Sequence, residues 1–224
     1  MAVKPADLFL SSDLSEDLAQ AYLQSLGFRD AAAADRALQA MAEELPVRQA
    51  LGEIADALLD SLQRVADPDA AVAGLSAYLA TRMSKVTFLN HLRDDPKATD
   101  VLVQIFGAGG PLGEMLLRDP EQFHWLMARV DRRQSMNLED EDLPRARAGR
   151  CDPLALERLC RRQLLRIGTR TKLGRDTPES AAAQLAQLRD LILGQVPIAG
   201  LREHLIAELE SVRAFLDARP NANA

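Results

Sequence analysis

The residues best suited to chemistry in this chain are arginines that recur at every fourth position from Arg158 to Arg170. Residues spaced by four lie on one face of an α-helix, and a guanidinium donates in a planar fork that matches a phosphate or a carboxylate. The pattern therefore predicts a cationic helix face, and we take Arg162, Arg166 and Arg170 as candidate residues for binding an anion or an acidic partner. The alternative is that these arginines are hydrated, or pair with neighbouring acids and helix C-termini.

Catalytic and metal-binding patterns are missing from the sequence. The histidines, His91, His124 and His204, are far apart, and none is spaced with Cys, Asp or Glu as in a known ligand motif. There is no G-x-S-x-G, H-E-x-x-H or C-x-x-C pattern. The acidic run Glu139–Asp142 has the oxygen ligands that a divalent cation prefers, but adjacent acids in a loop are more often solvated. We therefore predict no catalytic residue, no metal ligand and no cofactor within this chain.

A cluster of glycines invites comparison with a phosphate-binding loop. Glycines let backbone N–H groups approach an anion at a helix N-terminus, but neither G-x-G-x-x-G nor G-x-x-x-x-G-K-[ST] is matched here. The cluster is better interpreted as a flexible turn between two helices. Its members are Gly107, Gly109, Gly110 and Gly113.

Composition favours helices packed on helices. Aromatic residues make up only 4% of the 224 residues, whereas alanine and leucine are abundant. The net charge of −6 argues against a general nucleic-acid binder, although residues 129 to 175 carry 13 basic against 7 acidic side chains. No apolar run approaches the roughly 20 residues of a membrane span, and two cysteines make no disulfide framework. We therefore expect a cytoplasmic protein that contacts neither membrane nor nucleic acid.

Proline marks the helix starts. A capping residue followed by a first-turn proline is a start signal, and it recurs at Asp67-Pro68, Asp95-Pro96, Asp119-Pro120, Asp152-Pro153 and Thr177-Pro178. The apolar spacing after Pro68 predicts one long helix of about 26 residues, with Met83 on its buried side.

The elements together predict an all-α, multi-helix bundle of about nine or ten helices. We expect an N-terminal helical bundle at 1–131, a linker at 132–150, a C-terminal helical subdomain with the basic helix at 151–217, and a disordered tail at 218–224.

Short motifs in a shared order resemble the glutamine synthetase adenylyltransferase family, the adenylylating and adenylyl-removing enzymes. The segment Arg161–Arg170 is similar to that family's R-R-x-L-L-R-I-x-x-R helix, with Gln163 where Glu is more usual, and Leu173-Gly174 extends the similarity. Further segments resemble neighbouring helices of the family: Gly27–Asp30, Asp67–Asp69, Leu116–Glu121 and Leu185–Leu193. The resemblance covers about residues 20 to 215 and indicates the helical region that precedes the family's first nucleotidyltransferase domain.

The resemblance implies a function for the surrounding protein. Enzymes of this family transfer AMP from ATP, with Mg²⁺, to a tyrosine of glutamine synthetase, or remove it. A PII-type regulatory protein is a further partner that the family implies. The catalytic domain has a Gly-Ser turn followed by D-x-D, and in this chain Ser never follows Gly. We therefore expect a non-catalytic helical portion, involved in nitrogen regulation, that supports an adjacent nucleotidyltransferase domain. The alternative is a stand-alone all-α interaction module with a basic docking helix and no activity.

Overall fold

The computed structural model describes residues 3–131, 152–196 and 198–218. Within these ranges every regular element is an α-helix and there is no strand. The twelve helices are α1 Asp7–Leu10, α2 Glu16–Ser25, α3 Ala31–Met41, α4 Leu45–Gln63, α5 Pro68–Ala80, α6 Lys85–Asp94, α7 Pro96–Ala108, α8 Pro111–Arg118, α9 Gln122–Met127, α10 Pro153–Lys172, α11 Pro178–Gln195 and α12 Ala199–Ala218. The predicted all-α class is confirmed, and ten of these helices have seven residues or more.

The chain forms two compact units, Met1–Gly113 and Glu114–Ala224. The predicted domain bounds at 131 and 151 stay a prediction, and the described residues just before 132 belong to the second unit. The predicted linker, with its acidic run, lies outside the described residues. The predicted tail does too, except for its first residue, Ala218, which ends α12.

The first unit is organised around α4, α5 and α7, whose apolar faces form its core. Here α5 packs on α3 and α7, while α4 packs on α1, α6 and α7. An acid joins two of its segments: Asp69 in the first turn of α5 accepts from the backbone N–H groups of Arg29 and Asp30, each at 3.0 Å. Two segments that resemble the adenylyltransferase family, Gly27–Asp30 and Asp67–Asp69, are thus bonded to each other.

The predicted long helix after Pro68 is wrong, because the structure breaks it into α5 and α6. Ser84 starts the second helix by accepting from the N–H of Thr87, so the cap competes with helix continuation. Met83, predicted to be buried, lies in the break and is fully exposed. Arg82 instead covers the apolar side, with its guanidinium over the rings of Tyr78 and Phe88.

The glycine cluster forms the predicted turn between two helices. Gly109 and Gly110, with φ of 65° and 81°, connect α7 to α8 in the left-handed region that favours glycine. Gly107 has a packing role, because a Cβ there would lie 2.7 Å from Cβ of Val65. The cluster is therefore explained by turn geometry and close packing.

The second unit is built on α10, α11 and α12, which pack on one another, with α9 against α10. Four of the five predicted capping residues do accept from the first turn of a helix: Asp67, Asp95, Asp152 and Thr177. At Asp119-Pro120 the helix begins two residues later, at Gln122. In the described ranges no helix combines the length and apolar composition needed to cross a bilayer.

Candidate functional site on the arginine helix

Helix α10 carries the candidate arginines and lies at the centre of the second unit. Asp152 caps it and Pro153 opens it, as the sequence predicts. Its apolar side chains, among them Leu156, Leu164 and Ile167, are buried against α11 and α12. From Gln163 to Thr171 every residue of the helix is buried, so the helix is enclosed on all sides over more than two turns. The candidate arginines must therefore be judged by what surrounds them.

Arg170 is the most deeply held of the candidates, with 3% of its surface exposed. Its Nε and Nη2 donate to the two carboxylate oxygens of Asp176, at 2.8 and 2.7 Å. Its Nη1 donates to the backbone carbonyl of Val130 at 2.7 Å. This bidentate pair ties α10 to the loop before α11, and the third bond ties it to the segment after α9.

Arg166 lies one turn earlier in the same buried layer and is 6% exposed. Its Nε donates to Gln163 Oε1 at 3.0 Å, and its Nη2 donates to Gln184 Oε1 of α11 at 2.9 Å. Nε2 of Gln184 in turn donates to Asp176 Oδ2, at 3.4 Å, and to the hydroxyl of Ser180. The two arginines thus belong to one polar network inside the second unit, with Asp176 as its carboxylate.

The network fixes the charge state of its carboxylate. The hydrogen bonds from Arg170 lower the pKa of the Asp176 carboxyl below its ordinary value. Burial acts in the opposite direction, and the charge of Arg170, the hydrogen bond from Gln184 and the charge of Arg166 add to the lowering. Asp176 is therefore ionised near neutral pH and compensates a buried guanidinium.

Arg162 lies in a different environment, against an aromatic ring. Its guanidinium carbon is 5.5 Å from the ring centroid of Trp125 in α9, and that of Arg129 is 4.7 Å from the same ring. Such contacts are worth about 0.5–2 kcal/mol each. Arg162 is half-buried, and no acceptor among the described residues lies within hydrogen-bond distance of its Nε. Two guanidinium groups thus contact the same ring.

The remaining arginines of α10 adjoin a cleft of about 330 Å³ between α8, α9 and α10. Arg161 pairs with Glu157 at 2.6 Å and with Glu208 of α12 at 3.0 Å, and it also contacts His204. Glu208 pairs in addition with Arg118. Arg158 also lines this cleft and is exposed.

The structure brings the candidate residues together only in part. Arg166 and Arg170 share a buried network, whereas Arg162 lies on Trp125, and anion binding by the three stays a prediction. The geometry favours the alternative for Arg170, which pairs with Asp176 and with a carbonyl after α9, whereas Arg166 donates to the side chains of two glutamines. Sequence reasoning missed the acceptors Asp176, Gln184 and Glu208. The capping signal at Thr177-Pro178 was the available clue, because it brings the start of α11, and Asp176 with it, next to the end of α10.

The side chains of this arrangement hold α10 to the neighbouring elements of the second unit. Arg166 donates to Gln163 and Gln184, and Arg170 donates to Asp176 and Val130, which positions helices. Arg158, which is exposed, and Arg162, which is half-buried, are the more accessible of the four arginines spaced by four on α10. Within the described ranges no group of three or more His, Cys, Asp or Glu side chains is arranged to hold a metal ion.

Fold and site together define an all-α chain of two compact units, the second organised around a buried arginine–aspartate network. No family model matches the chain, and no solved structure matches it. It is similar to the bifunctional glutamine synthetase adenylyltransferase/adenylyl-removing enzyme of Streptomyces avermitilis, with 32% identity over 166 residues. That match covers 72% of this chain and 16% of the relative, so the chain spans about a sixth of the relative's length. The similarity supports a relationship to that enzyme.

Proposed function

We propose that this chain is a non-catalytic helical portion of a glutamine synthetase adenylyltransferase-like protein of the cytoplasm. In this role it supports an adjacent nucleotidyltransferase domain that transfers AMP to glutamine synthetase or removes it. ATP and Mg²⁺ belong to that domain, and the partners are glutamine synthetase and a PII-type regulatory protein. The role is one of nitrogen regulation.

The observation that carries this proposal is the match to the Streptomyces avermitilis enzyme over 72% of the chain and 16% of the relative. A match of this extent compares the chain with one region of a much larger protein. The order of the resembling segments, from Gly27–Asp30 to Leu185–Leu193, agrees with a helical region that comes before a catalytic domain.

The contacts of the resembling residues support a scaffold role. Asp69 bonds the backbone of the Gly27–Asp30 segment, and Arg118 pairs with Glu208. Arg166 donates a hydrogen bond to Gln184, and Arg170 donates two to Asp176. The motifs by which the chain resembles the family are thus contacts that hold helices in place. A region that supports a neighbouring domain has to hold its helices in fixed positions.

A chimera tests the proposal directly. The matched segment of the Streptomyces avermitilis enzyme is replaced by the corresponding part of this chain, and AMP incorporation into glutamine synthetase is measured with ATP and Mg²⁺. We expect the chimera to keep activity within about tenfold of the parent, a barrier change of about 1.4 kcal/mol. The control is the same enzyme with an unrelated helical bundle of equal length, which should lose most activity.

Two further measurements complete the test. This chain alone, with ATP, Mg²⁺ and glutamine synthetase, should give no AMP transfer, because the Gly-Ser turn is missing. The reading frame downstream of Ala224 in the source genome should continue into a Gly-Ser turn followed by D-x-D. A chimera no better than the unrelated bundle, together with a reading frame that ends at Ala224, would refute the proposal.

The stand-alone interaction module is the second candidate, and one observation favours it. The first turns of α10 expose Leu154 and Arg158 beside the 330 Å³ cleft, so that an apolar and a cationic group are accessible together. This candidate predicts that the separate chain binds an acidic protein surface and that Arg158→Glu abolishes binding. In the first candidate that substitution leaves AMP transfer by the chimera unchanged.

A further inference from the structure

Arg162 of the second unit is a half-buried guanidinium whose hydrogen-bonding capacity is not used by the described part of the chain. Its Nε is a buried donor without an acceptor, and no described acid forms an ion pair with it. Its charge contacts only the ring of Trp125, whose centroid lies 5.5 Å from the guanidinium carbon. Withdrawing such a group from water is unfavourable unless its donors find acceptors. Arg162 therefore lacks an anionic partner.

Two further guanidinium groups lie near Arg162. Arg158 is one turn earlier on α10, and side chains four residues apart are neighbours on a helix surface. Arg158 is exposed and has no ion pair or hydrogen bond with another described residue. The guanidinium carbon of Arg129 is 4.7 Å from the Trp125 ring centroid and hence no more than about 10 Å from that of Arg162. These like charges repel each other, and a bound anion would offset the repulsion.

A second buried polar atom without a partner belongs to the cleft beside Arg158. Gln122 of α9 lines this 330 Å³ cleft, and the residue is only 2% exposed. Its Nε2 donates to Asp119 Oδ2 at 3.1 Å, whereas its Oε1 accepts from no described residue. A buried amide oxygen of this kind needs an N–H or O–H donor. Since Gln122 and Trp125 are one turn apart on α9, the unused acceptor and the unused guanidinium lie along the same pair of helices.

The remaining charged side chains of the cleft narrow the class of ligand. Glu157 pairs with Arg161 at 2.6 Å, and Asp119 accepts from Gln122. The cleft thus combines oxygen atoms that accept hydrogen bonds with guanidinium groups that bind oxyanions bidentately. A bare anion would satisfy only the arginines, and an uncharged polyol only the acceptors. A phosphate carried by a polyol satisfies both, and the volume of the cleft is at the lower end of the range for small-molecule sites.

We propose that α9 and α10 bind a sugar phosphate, with the phosphate group on Arg158 and Arg162 and the sugar in the cleft. A phosphate monoester carries a charge of about −1.5 to −2 near pH 7, which matches two guanidinium groups. A sugar hydroxyl donates to Oε1 of Gln122, the acceptor that the chain leaves unused. Trp125 positions the Arg162 guanidinium by the cation–π contact. This binding site is separate from the supporting role proposed above and does not depend on it.

The test is calorimetric titration of the full chain with glucose 6-phosphate. We expect saturable binding that Arg162→Gln weakens by at least about tenfold, because the substitution removes a charge that contacts the phosphate. The matched control is Arg189→Gln, which removes the same charge at an exposed position of α11 outside the cleft lining and should change the affinity by less than about twofold. Circular dichroism checks that each variant is folded.

The fluorescence of Trp125, the only tryptophan, locates the site. Because the phosphate neutralises a charge next to the indole ring, glucose 6-phosphate should change the emission in a saturable way. Glucose, or sodium chloride at the same ionic strength, should not.

Two further variants keep the test decisive if Arg162→Gln does not fold. Arg158→Gln changes an exposed side chain and should also weaken glucose 6-phosphate binding by about tenfold. Gln122→Met keeps the length of the side chain but removes the amide oxygen. It should lower the affinity for glucose 6-phosphate to that for inorganic phosphate, while the affinity for inorganic phosphate stays within about twofold of the unmodified chain.

Four results would overturn the inference. The first is no detectable binding of glucose 6-phosphate by the unmodified chain. The second is equal affinity for inorganic phosphate and glucose 6-phosphate, which would mean an unselective anion site. The third is equal or tighter binding of a hexaglutamate peptide, which would indicate an acidic protein surface as the ligand. The fourth is an equal effect of Arg162→Gln and Arg189→Gln.

Discussion

Replacing Arg170 by alanine tests whether the arginine helix is held together by a buried ion pair. The substitution removes two bonds to Asp176 and one to the carbonyl of Val130. It leaves the Asp176 side chain, which is 12% exposed, without its main counter-charge. The Asp176 carboxylate then stays buried in the second unit, and the guanidinium no longer offsets the unfavourable free energy of its burial.

The size of the effect follows from the burial of both partners. Removing one member of a buried pair typically costs about 3–5 kcal/mol, because the other charge is left uncompensated. Hydrogen bonds to charged groups contribute about 1.5–3 kcal/mol each, but three of them on one guanidinium are not additive. We therefore expect a loss of about 3–5 kcal/mol in the free energy of unfolding. Arg170→Lys keeps the charge but not the planar fork, and should lose about 2 kcal/mol.

The assay is urea unfolding followed by tryptophan fluorescence. Trp125 is the only tryptophan of the chain and packs against Arg162 in the second unit, so its emission reports the unit in which the substitution lies. The matched control is Arg158→Ala, three turns earlier on α10 at an exposed position, which should change the free energy by less than about 0.5 kcal/mol.

Equal destabilisation by Arg170→Ala and Arg158→Ala would contradict a stabilising role for the buried ion pair. The absence of a measurable effect of Arg170→Ala would contradict that role too, since the buried carboxylate would then need no counter-charge. A large loss for both Arg170→Ala and Arg170→Lys, with none for Arg158→Ala, would show that the fork geometry matters as well as the charge.

Three further predictions concern other contacts. Because folding lowers the pKa of the Asp176 carboxyl, this group stabilises the protein fully above its unfolded pKa and loses this contribution as the pH falls through the lower folded pKa. The unfolding free energies of the unmodified chain and Asp176→Asn should therefore converge as the pH is lowered from 6 to about 2. Asp69→Ala removes the acceptor of two backbone N–H groups and should cost about 1–3 kcal/mol in urea unfolding followed by circular dichroism, whereas Asp17→Ala on an exposed surface should cost less than about 0.5 kcal/mol. Gly107→Ala forces a Cβ within 2.7 Å of the Val65 side chain and should lower stability by about 1–3 kcal/mol in a thermal melt; an unchanged melting temperature would contradict the close packing of α7.

The all-α fold class and most helix starts could be predicted from the sequence because they depend on interactions between residues that are close along the chain. A capping oxygen and a first-turn proline act within one turn, which is why Asp67, Asp95, Asp152 and Thr177 were recognised. The break at Met83 was missed because apolar periodicity continues across it, while the cap of the next helix depends on the single hydroxyl of Ser84. The late start of α9 was missed for a similar reason, since Asp119 accepts instead from the side chain of Gln122.

The candidate site was harder to predict because it depends on contacts between helices. The spacing of the arginines fixes the face of α10 on which they lie, but not what packs against that face. Gln184 is 18 residues after Arg166 and reaches it only because α11 folds back on α10. Even so, the sequence contained the alternative that the geometry favours, in which arginines pair with neighbouring acids.

The charge of the second unit shows why an arginine-rich helix is weak evidence for an anion-binding surface. Residues 114 to 224 carry 18 basic against 17 acidic side chains, a net of +1. Within the described part of this unit, carboxylates pair with many of the arginines, among them Asp176 with Arg170, and Glu208 with Arg118 and Arg161. Most of the positive charge of α10 is therefore engaged in contacts within the second unit. An acidic partner would meet chiefly Arg158 and Arg162, so a binding role for the helix depends on these two side chains, while its role in holding the unit together depends on Arg166 and Arg170.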